Sequence, residues 1–295
     1  MRPAARALGL ALGYTLDRLL GDPTRHHPVA GFGRLAGALE QRTYADSRAA
    51  GALHVAVLVG GATALGRLLP ERTVVVAACT WAVLGGRSLE REARAVHDLL
   101  AEQDLPAARR RLTHLVGRDT SVLDVSEVSR AAIESVAENT SDAVVAPLLW
   151  GAVAGPAGLI GYRAVNTLDA MVGHRSPRYA RFGWAAARLD DVVNLLPARV
   201  TALLAATSAP EPALRAWRRD AGRHPSPNAG PVEAAFAGAL GVRLGGANRY
   251  GDDVQDRGHL GDGRPPEAAD VLRAVRLANR VDLLALALAV AVSRR

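Results

Sequence analysis

The chain has 295 residues, 49% of them hydrophobic but only 4% aromatic, with a net charge of +7. All 36 basic residues are arginine, which excludes a pyridoxal-phosphate Schiff base, a P-loop lysine and a lysine nucleophile. Arginines dispersed among apolar spans with few aromatics exclude a nucleic-acid binder, and the lone Cys79 excludes an internal disulfide or a cysteine metal cluster.

Anionic lipid headgroups and phosphorylated substrates account for the charge more easily. Abundant Ala and Gly suit close helix packing in a membrane. Five or six segments can enter a bilayer: about 5–20, 50–69, 73–86, 143–161, 191–207 and 278–293. Several fall short of the roughly 20 apolar residues that span it, so some are expected to be tilted, interfacial or re-entrant. The first follows Arg2 and Arg6 and is interrupted by Asp17 and Arg18. With no small-residue cleavage site after it, it reads as an uncleaved membrane segment.

Next comes Gly21-Asp22-Pro23-Thr24-Arg25-His26-His27-Pro28. Adjacent histidines on an extended chain point opposite ways and do not make a metal pair. The longest polar stretch, 87–141, reads as soluble helices over Ser88–Gln103 and Pro106–Val116. A third starts near Asp124, where Asp124 and Glu127 have capping-box spacing. Gly155-Pro156-Ala157-Gly158 breaks segment 143–161. Stretches 208–230 and 245–270, rich in Gly, Pro and charge, read as loop.

The expected fold class is therefore all-α: a polytopic integral protein of the cell membrane with five to six membrane segments, one broken or re-entrant. Residues 1–295 form one membrane-embedded domain with a polar helical insertion at about 87–141. If every segment spans, loops 21–48, 87–141 and 208–277 share the arginine-rich cytoplasmic side and loop 162–190 lies opposite. A re-entrant pair at Gly155-Pro156 would return that loop to the cytoplasm, since broken backbone is tolerated at membrane depth where protein or a polar cavity surrounds it.

Ionisable groups crowd the ends of these apolar segments, where they are costly and so suggest a working site. On a helix over 125–141, Glu127, Glu134 and Glu138 share one face, with Asp142 nearby. Such like charges call for neutralisation, by Arg130 or by a divalent cation such as Mg²⁺. Arg163, Asn166 and Thr167 share another face, with Asp169 to its side. Arginine offers a two-pronged grip on phosphate or carboxylate, and an amide both donates and accepts. Asp190, Asp191 and Asn194 form a second acid–amide group, and Arg199 beyond Pro197 needs a partner such as Asp191 or Asn194. Ser226-Pro227-Asn228-Ala229-Gly230 before Glu233, and Leu244-Gly245-Gly246 before Tyr250-Gly251-Asp252, allow close backbone approach to a ligand but also read as turns.

These strings together resemble the adenosylcobinamide-phosphate synthase family of membrane-bound cobalamin-biosynthesis proteins. The matching residues are Gly21-Asp22-Pro23 with His27-Pro28, Val136-Ala137-Glu138-Asn139 with Asp142 and Ala146-Pro147-Leu148, and Tyr162-Arg163-Ala164-Val165-Asn166-Thr167-Leu168-Asp169-Ala170-Met171-Val172-Gly173. Phe182-Gly183-Trp184, Ala187-Arg188-Leu189-Asp190-Asp191, Asn194, Pro197-Ala198-Arg199, Ser226–Gly230 and Leu244-Gly245-Gly246 with Tyr250 continue the order. Departures are confined to loops such as 87–120 and the tail.

The resemblance implies ATP-dependent amide ligation of adenosylcobyric acid, a corrinoid, with 1-aminopropan-2-yl phosphate or a close analogue, with Mg²⁺ as cofactor. It also implies a bilayer setting and association with other corrinoid-pathway enzymes. Read with the residue patterns, it makes Glu138, Asn139, Arg163, Asn166, Asp169, Asp190, Asp191 and Asn194 the catalytic candidates. Arg188, Arg199, Asn228 and Tyr250 are the cofactor-binding candidates, and Glu134, Glu138, Asp142 and Asp191 the metal ligands. A transporter with broken helices, or a membrane sensor without chemistry, remains the alternative reading.

Overall fold

The computed structural model describes residues 2–22, 27–174, 176–250 and 253–294, the side chains of 2, 248–250 and 253–255 excepted. In chain order it forms α1 (Arg2–Leu20), α2 (Pro28–Thr43), α3 (Arg48–Leu68), α4 (Thr73–Val83), α5 (Gly86–Ala101), α6 (Leu105–Leu112) and α7 (Val125–Thr140). A π-helical turn, Ser141–Val145, leads into α8 (Ala146–Leu168), which ends in a second one, Asp169–Gly173. Then follow α9 (Tyr179–Phe182), α10 (Trp184–Ala206), α11 (Pro210–Asp220), α12 (Ala229–Leu240), strands β1 (Leu244–Tyr250) and β2 (Asp253–Leu260), and α13 (Ala268–Ser293). The chain forms two compact units: Met1–Gly85 with Ala146–Asn194 and Leu286–Arg295, and Gly86–Val145 with Leu195–Ala285.

In the first unit, small residues let helices meet backbone to backbone. A Cβ on Gly13 of α1 would lie 2.4 Å from Thr80 Cβ of α4, and one on Gly66 of α3 would lie 2.5 Å from Ala157 Cα of α8. Val55, Leu58, Leu168, Val172 and Phe182 form the core of this unit. The outward face of α3 is apolar: Leu53, Val57, Leu65 and Leu68 are all more than half exposed. Exposed apolar faces of this kind mark contact with a membrane, a partner or a ligand, and Val57 and Leu65 also line a cavity.

The break expected at Gly155-Pro156 is present. Gly155 has φ 57° and ψ −139°, outside helical geometry. Pro156 brings no N–H, so carbonyls of the preceding turn lose helical partners. Arg6 of α1 supplies them: its Nη1 donates to the carbonyls of Ala152 and Val153, both at 3.0 Å, while Nη2 binds Glu71 at 2.9 and 2.8 Å.

The second unit is built from α5–α7, α11, α12 and the hairpin. Asp124 caps α7 as its spacing with Glu127 predicts: each side chain accepts from the other's backbone N–H, at 2.8 and 2.9 Å. Two buried carboxylates tie elements together. Asp220 accepts from Arg219 at 2.8 and 2.7 Å and from the Gly261 N–H at 2.9 Å; Asp270 accepts from Arg264 at 2.7 and 3.1 Å and from Arg273 at 2.6 Å.

Two expectations are corrected. The chain is mostly helical but not all-α, because β1 and β2 pair antiparallel within the stretch 245–270. Glycine hid this hairpin: Gly245, Gly246 and Gly258 carry positive φ, and the register shifts between Gly245 and Ala247. Residues 210–220 are helical rather than loop, with prolines in the first turn, where a missing N–H costs nothing. The connection 21–48 between the first two apolar segments holds α2, also opened by a proline. Among the described residues, two helical stretches are long and apolar enough to cross a membrane, Arg48–Leu68 and Val125–Gly173. The expected segments 5–20, 73–86, 191–207 and 278–293 are helical but shorter or more charged. A polytopic membrane protein fits this pattern.

Candidate functional site

In the first unit the acid–amide residues lie side by side on α8 and α10. Tyr162 of α8 donates its O–H to Asn194 Oδ1 of α10 at 2.9 Å, and Asn194 Nδ2 donates to Asp190 Oδ2 at 2.9 Å. Asn166 lies close enough to act on Asp190 and accepts from Arg163 Nη1 at 3.2 Å. Asp169 and Asp191 act on the same group through their charge, and Arg188 pairs with Asp191 at 3.0 Å. Asp169 sits on the second π-helical turn, whose widened backbone re-aims side chains. Gly173 leaves room for the Asp169 carboxylate, which a Cβ there would displace. Of the candidates predicted from sequence, Arg163, Asn166, Asp169, Arg188, Asp190, Asp191 and Asn194 are thus brought together.

Beside this group lies an apolar cavity of about 870 Å³, walled by α2, α3, α4 and α8. Phe32, Leu39, Leu58, Trp81 and Ile160 line it, and Arg163 and Thr167 are among its few polar wall residues. Cys79 is also in the wall, half-buried. Apolar pockets with a few convergent polar groups are the usual form of small-molecule sites.

In the second unit the metal candidates do not gather as predicted. Glu134 is consumed by structural partners: Arg118 at 2.6 Å, the Gly245 N–H at 2.9 Å and Arg130 at 3.6 Å. Glu138 turns instead toward His224 and Glu233, and the ligand atoms of these three lie within 4.8 Å of one another. His224 Nε2 is 3.5 Å from Glu233 Oε1, and Arg257 Nη1 is 3.8 Å from Glu138 Oε1. Glu233 is fully buried in α12, and among the described residues neither of its oxygens has a hydrogen-bond partner within normal geometry, Glu138 and His224 being its polar neighbours. Burial pushes its carboxyl well above the usual range, helped by Glu138 and Glu134. Burial lowers the His224 imidazole, and Arg257 adds to that.

Asn139 turns back on its own helix, donating to the Ser135 carbonyl at 2.9 Å and to its Oγ at 3.2 Å. Asp142, half-buried, sits on the first π-helical turn. Arg199 Nη1 donates to Asn228 Oδ1 at 3.0 Å, so these two cofactor-binding candidates face each other. The side chain of Tyr250, together with Pro23–His26, Arg175, Gly251 and Asp252, lies outside the described residues. Sequence reasoning passed over Tyr162, His224 and Glu233 as site residues. The available signal for Glu233 was a lone carboxylate in the apolar run Gly230–Leu240.

A family profile described as CobD/Cbib protein matches residues 10–278. The chain belongs to the CobD/CbiB family. It is 57% identical to a protein of Mycobacterium tuberculosis named cobalamin biosynthesis protein CobD, over 97% of this chain and 95% of the relative. Relatives of the same name in Chromobacterium violaceum and Rhodobacter capsulatus are 48% and 44% identical, covering 93% and 95% of this chain and 92% of each relative. No solved structure matches. Family and relatives support a role in cobalamin biosynthesis, as a biosynthetic enzyme.

Proposed function

We propose that this CobD/CbiB family member joins the propionate carboxylate of a cobyric acid to the amine of 1-aminopropan-2-yl phosphate, or a close analogue, in an ATP-dependent amide ligation at a cell membrane. The observation that carries the reading is the group Tyr162–Asn194–Asp190–Asn166–Arg163, which sets a guanidinium, two amides and carboxylates side by side. A carboxylate does not acylate an amine unaided. Transfer of the ATP γ-phosphoryl would turn the acid oxygen into a leaving group, and Mg²⁺ would neutralise charge on the phosphates.

The chain's own groups have definite tasks in such a step. Arg163 holds an anionic group, the phosphate of the amine or the acid itself, by two parallel N–H bonds. Asn166 and Asn194 fix orientation, each held by its neighbours. Asp190 is placed to take a proton as the ammonium becomes a nucleophilic amine. Arg199 with Asn228 offers a second anion-binding pair.

Purified protein in lipid, given ATP, the corrinoid acid and the aminoalcohol phosphate, tests this. Amide product and stoichiometric ADP and phosphate are expected. Corrinoid or amine carried across proteoliposomes without an amide would favour a transporter instead.

A further inference from the structure

Glu138, His224 and Glu233 come from three separate places, α7, the segment before α12, and α12 itself, yet their donor atoms converge within 4.8 Å. Two carboxylates meet there. One guanidinium, Arg257, approaches only to 3.8 Å from Glu138. Glu134, whose charge also reaches Glu233, is itself paired with Arg118 and Arg130. Glu233 is the decisive residue. It is fully buried, one of its oxygens lies in the cluster, and among the described residues neither oxygen has a hydrogen-bond partner within normal geometry, His224 Nε2 standing 3.5 Å away. A buried carboxylate so placed is costly unless paired with a cation.

We propose that Glu138, His224 and Glu233 form a binding site for one first-row transition-metal dication, with Mn²⁺, Fe²⁺ or Zn²⁺ preferred to Mg²⁺. The donor set decides the class of ion. Mg²⁺ takes an all-oxygen shell and keeps much of its water, whereas imidazole suits the later first-row metals and carboxylates suit them as well. Three protein ligands from a rigid frame leave positions open for water or an anionic substrate oxygen.

The tautomer of His224 has a definite part. The Ser226 N–H lies 3.0 Å from Nδ1, which leaves Nε2 as the ring nitrogen that faces Glu233. The Ser226 carbonyl lies 3.4 Å from the same Nδ1. With a metal at Nε2 the proton would sit on Nδ1, and Ser226 would have to turn its backbone carbonyl rather than its N–H toward it. A backbone carbonyl holding the far nitrogen is the usual support of a ligating histidine.

The inference stands apart from the ligase reading, and its test uses no nucleotide or corrinoid. The full chain in detergent is stripped with chelator, and binding of Mn²⁺ alone is followed by electron paramagnetic resonance, with Mg²⁺ as competitor. One Mn²⁺ per chain is expected, with ¹⁴N modulation from a bound imidazole and weak competition by Mg²⁺. Glu233→Gln and His224→Gln should each weaken binding at least about tenfold, and His224→Gln should remove the nitrogen signal. Glu127→Gln, on the exposed end of α7, should change nothing. Absence of a nitrogen signal in the parent, Mg²⁺ competing at equal concentration, or undiminished binding in both variants would each overturn the assignment. The nitrogen signal is read on the parent protein, so a variant that fails to fold leaves the test intact.

Discussion

Tyr162 and Asn194 are joined by a 2.9 Å hydrogen bond between two buried side chains of α8 and α10. The phenol O–H occupies Asn194 Oδ1, so the amide can present only its N–H₂ side to Asp190. Orientation of the acid group therefore rests in part on the Tyr162 hydroxyl. Tyr162→Phe should leave Asn194 Oδ1 buried without that donor, at a cost of about 1–3 kcal/mol. We expect a melting temperature a few degrees lower and a larger fall in amide formation than the stability loss explains. Thermal unfolding in detergent, read beside initial rates, checks both.

Arg163→Lys should not behave as a conservative change. A planar guanidinium grips an anion by two parallel bonds, and an ammonium acts as a point charge, so a loss of at least about tenfold in turnover is expected. The bond to Asn166 Oδ1 at 3.2 Å would also loosen. Steady-state kinetics decide: a parental rate with unchanged Michaelis constants would reduce Arg163 to a charge in the cavity wall.

Asp191→Asn separates function from stability. Its ion pair with Arg188 is partly exposed, and such pairs contribute little to folding. Unfolding should therefore be unchanged within about 1 kcal/mol while amide formation is abolished. Full turnover at saturating Mg²⁺ would confine Asp191 to its surface pair.

Glu134→Gln should do the opposite. The carboxylate faces Arg118 at 2.6 Å, and both side chains are almost fully buried. Removing one charge of a buried pair costs about 3–5 kcal/mol because the other stays behind. A strongly lowered melting temperature is expected, with the metal affinity of the surviving folded fraction unchanged, as measured by Mn²⁺ titration.

Asp220 sets an acid limit. Hydrogen bonds from Arg219, with the Gly261 N–H and the Arg223 charge behind them, hold its carboxyl below the usual range although burial opposes this. Its folded pKa is thus lower than the unfolded value of about 3.9, so the stabilisation is complete above about pH 4 and is lost as pH falls through the folded pKa. Asp220→Asn should melt lower than the parent at neutral pH, and the gap should close below about pH 4. Melting curves across that range, followed by tryptophan fluorescence, test the sign.

Local chemistry alone determined a good part of this protein. The Asp124–Glu127 capping box, the break at Gly155-Pro156 and the grouping of Arg163, Asn166 and Thr167 all depend on residues within a turn of each other. Spacing along the chain therefore decides them. The helix Pro210–Asp220 and the hairpin were missed because proline and glycine mark a helix start or an irregular strand as readily as a loop. The family resemblance, too, was carried by short ordered strings.

The tertiary structure decided what each charge is for. Glu134 and Glu138 are one helical turn apart and look equivalent in sequence. Only the fold brings Arg118 and the Gly245 N–H to the first, and His224 and Glu233 to the second. Tyr162 likewise became a site residue only when α10 set Asn194 against it. Periodicity reports which face of a helix a side chain occupies. What stands opposite that face depends on segments distant in the chain, and the cost of burying a charge is settled there.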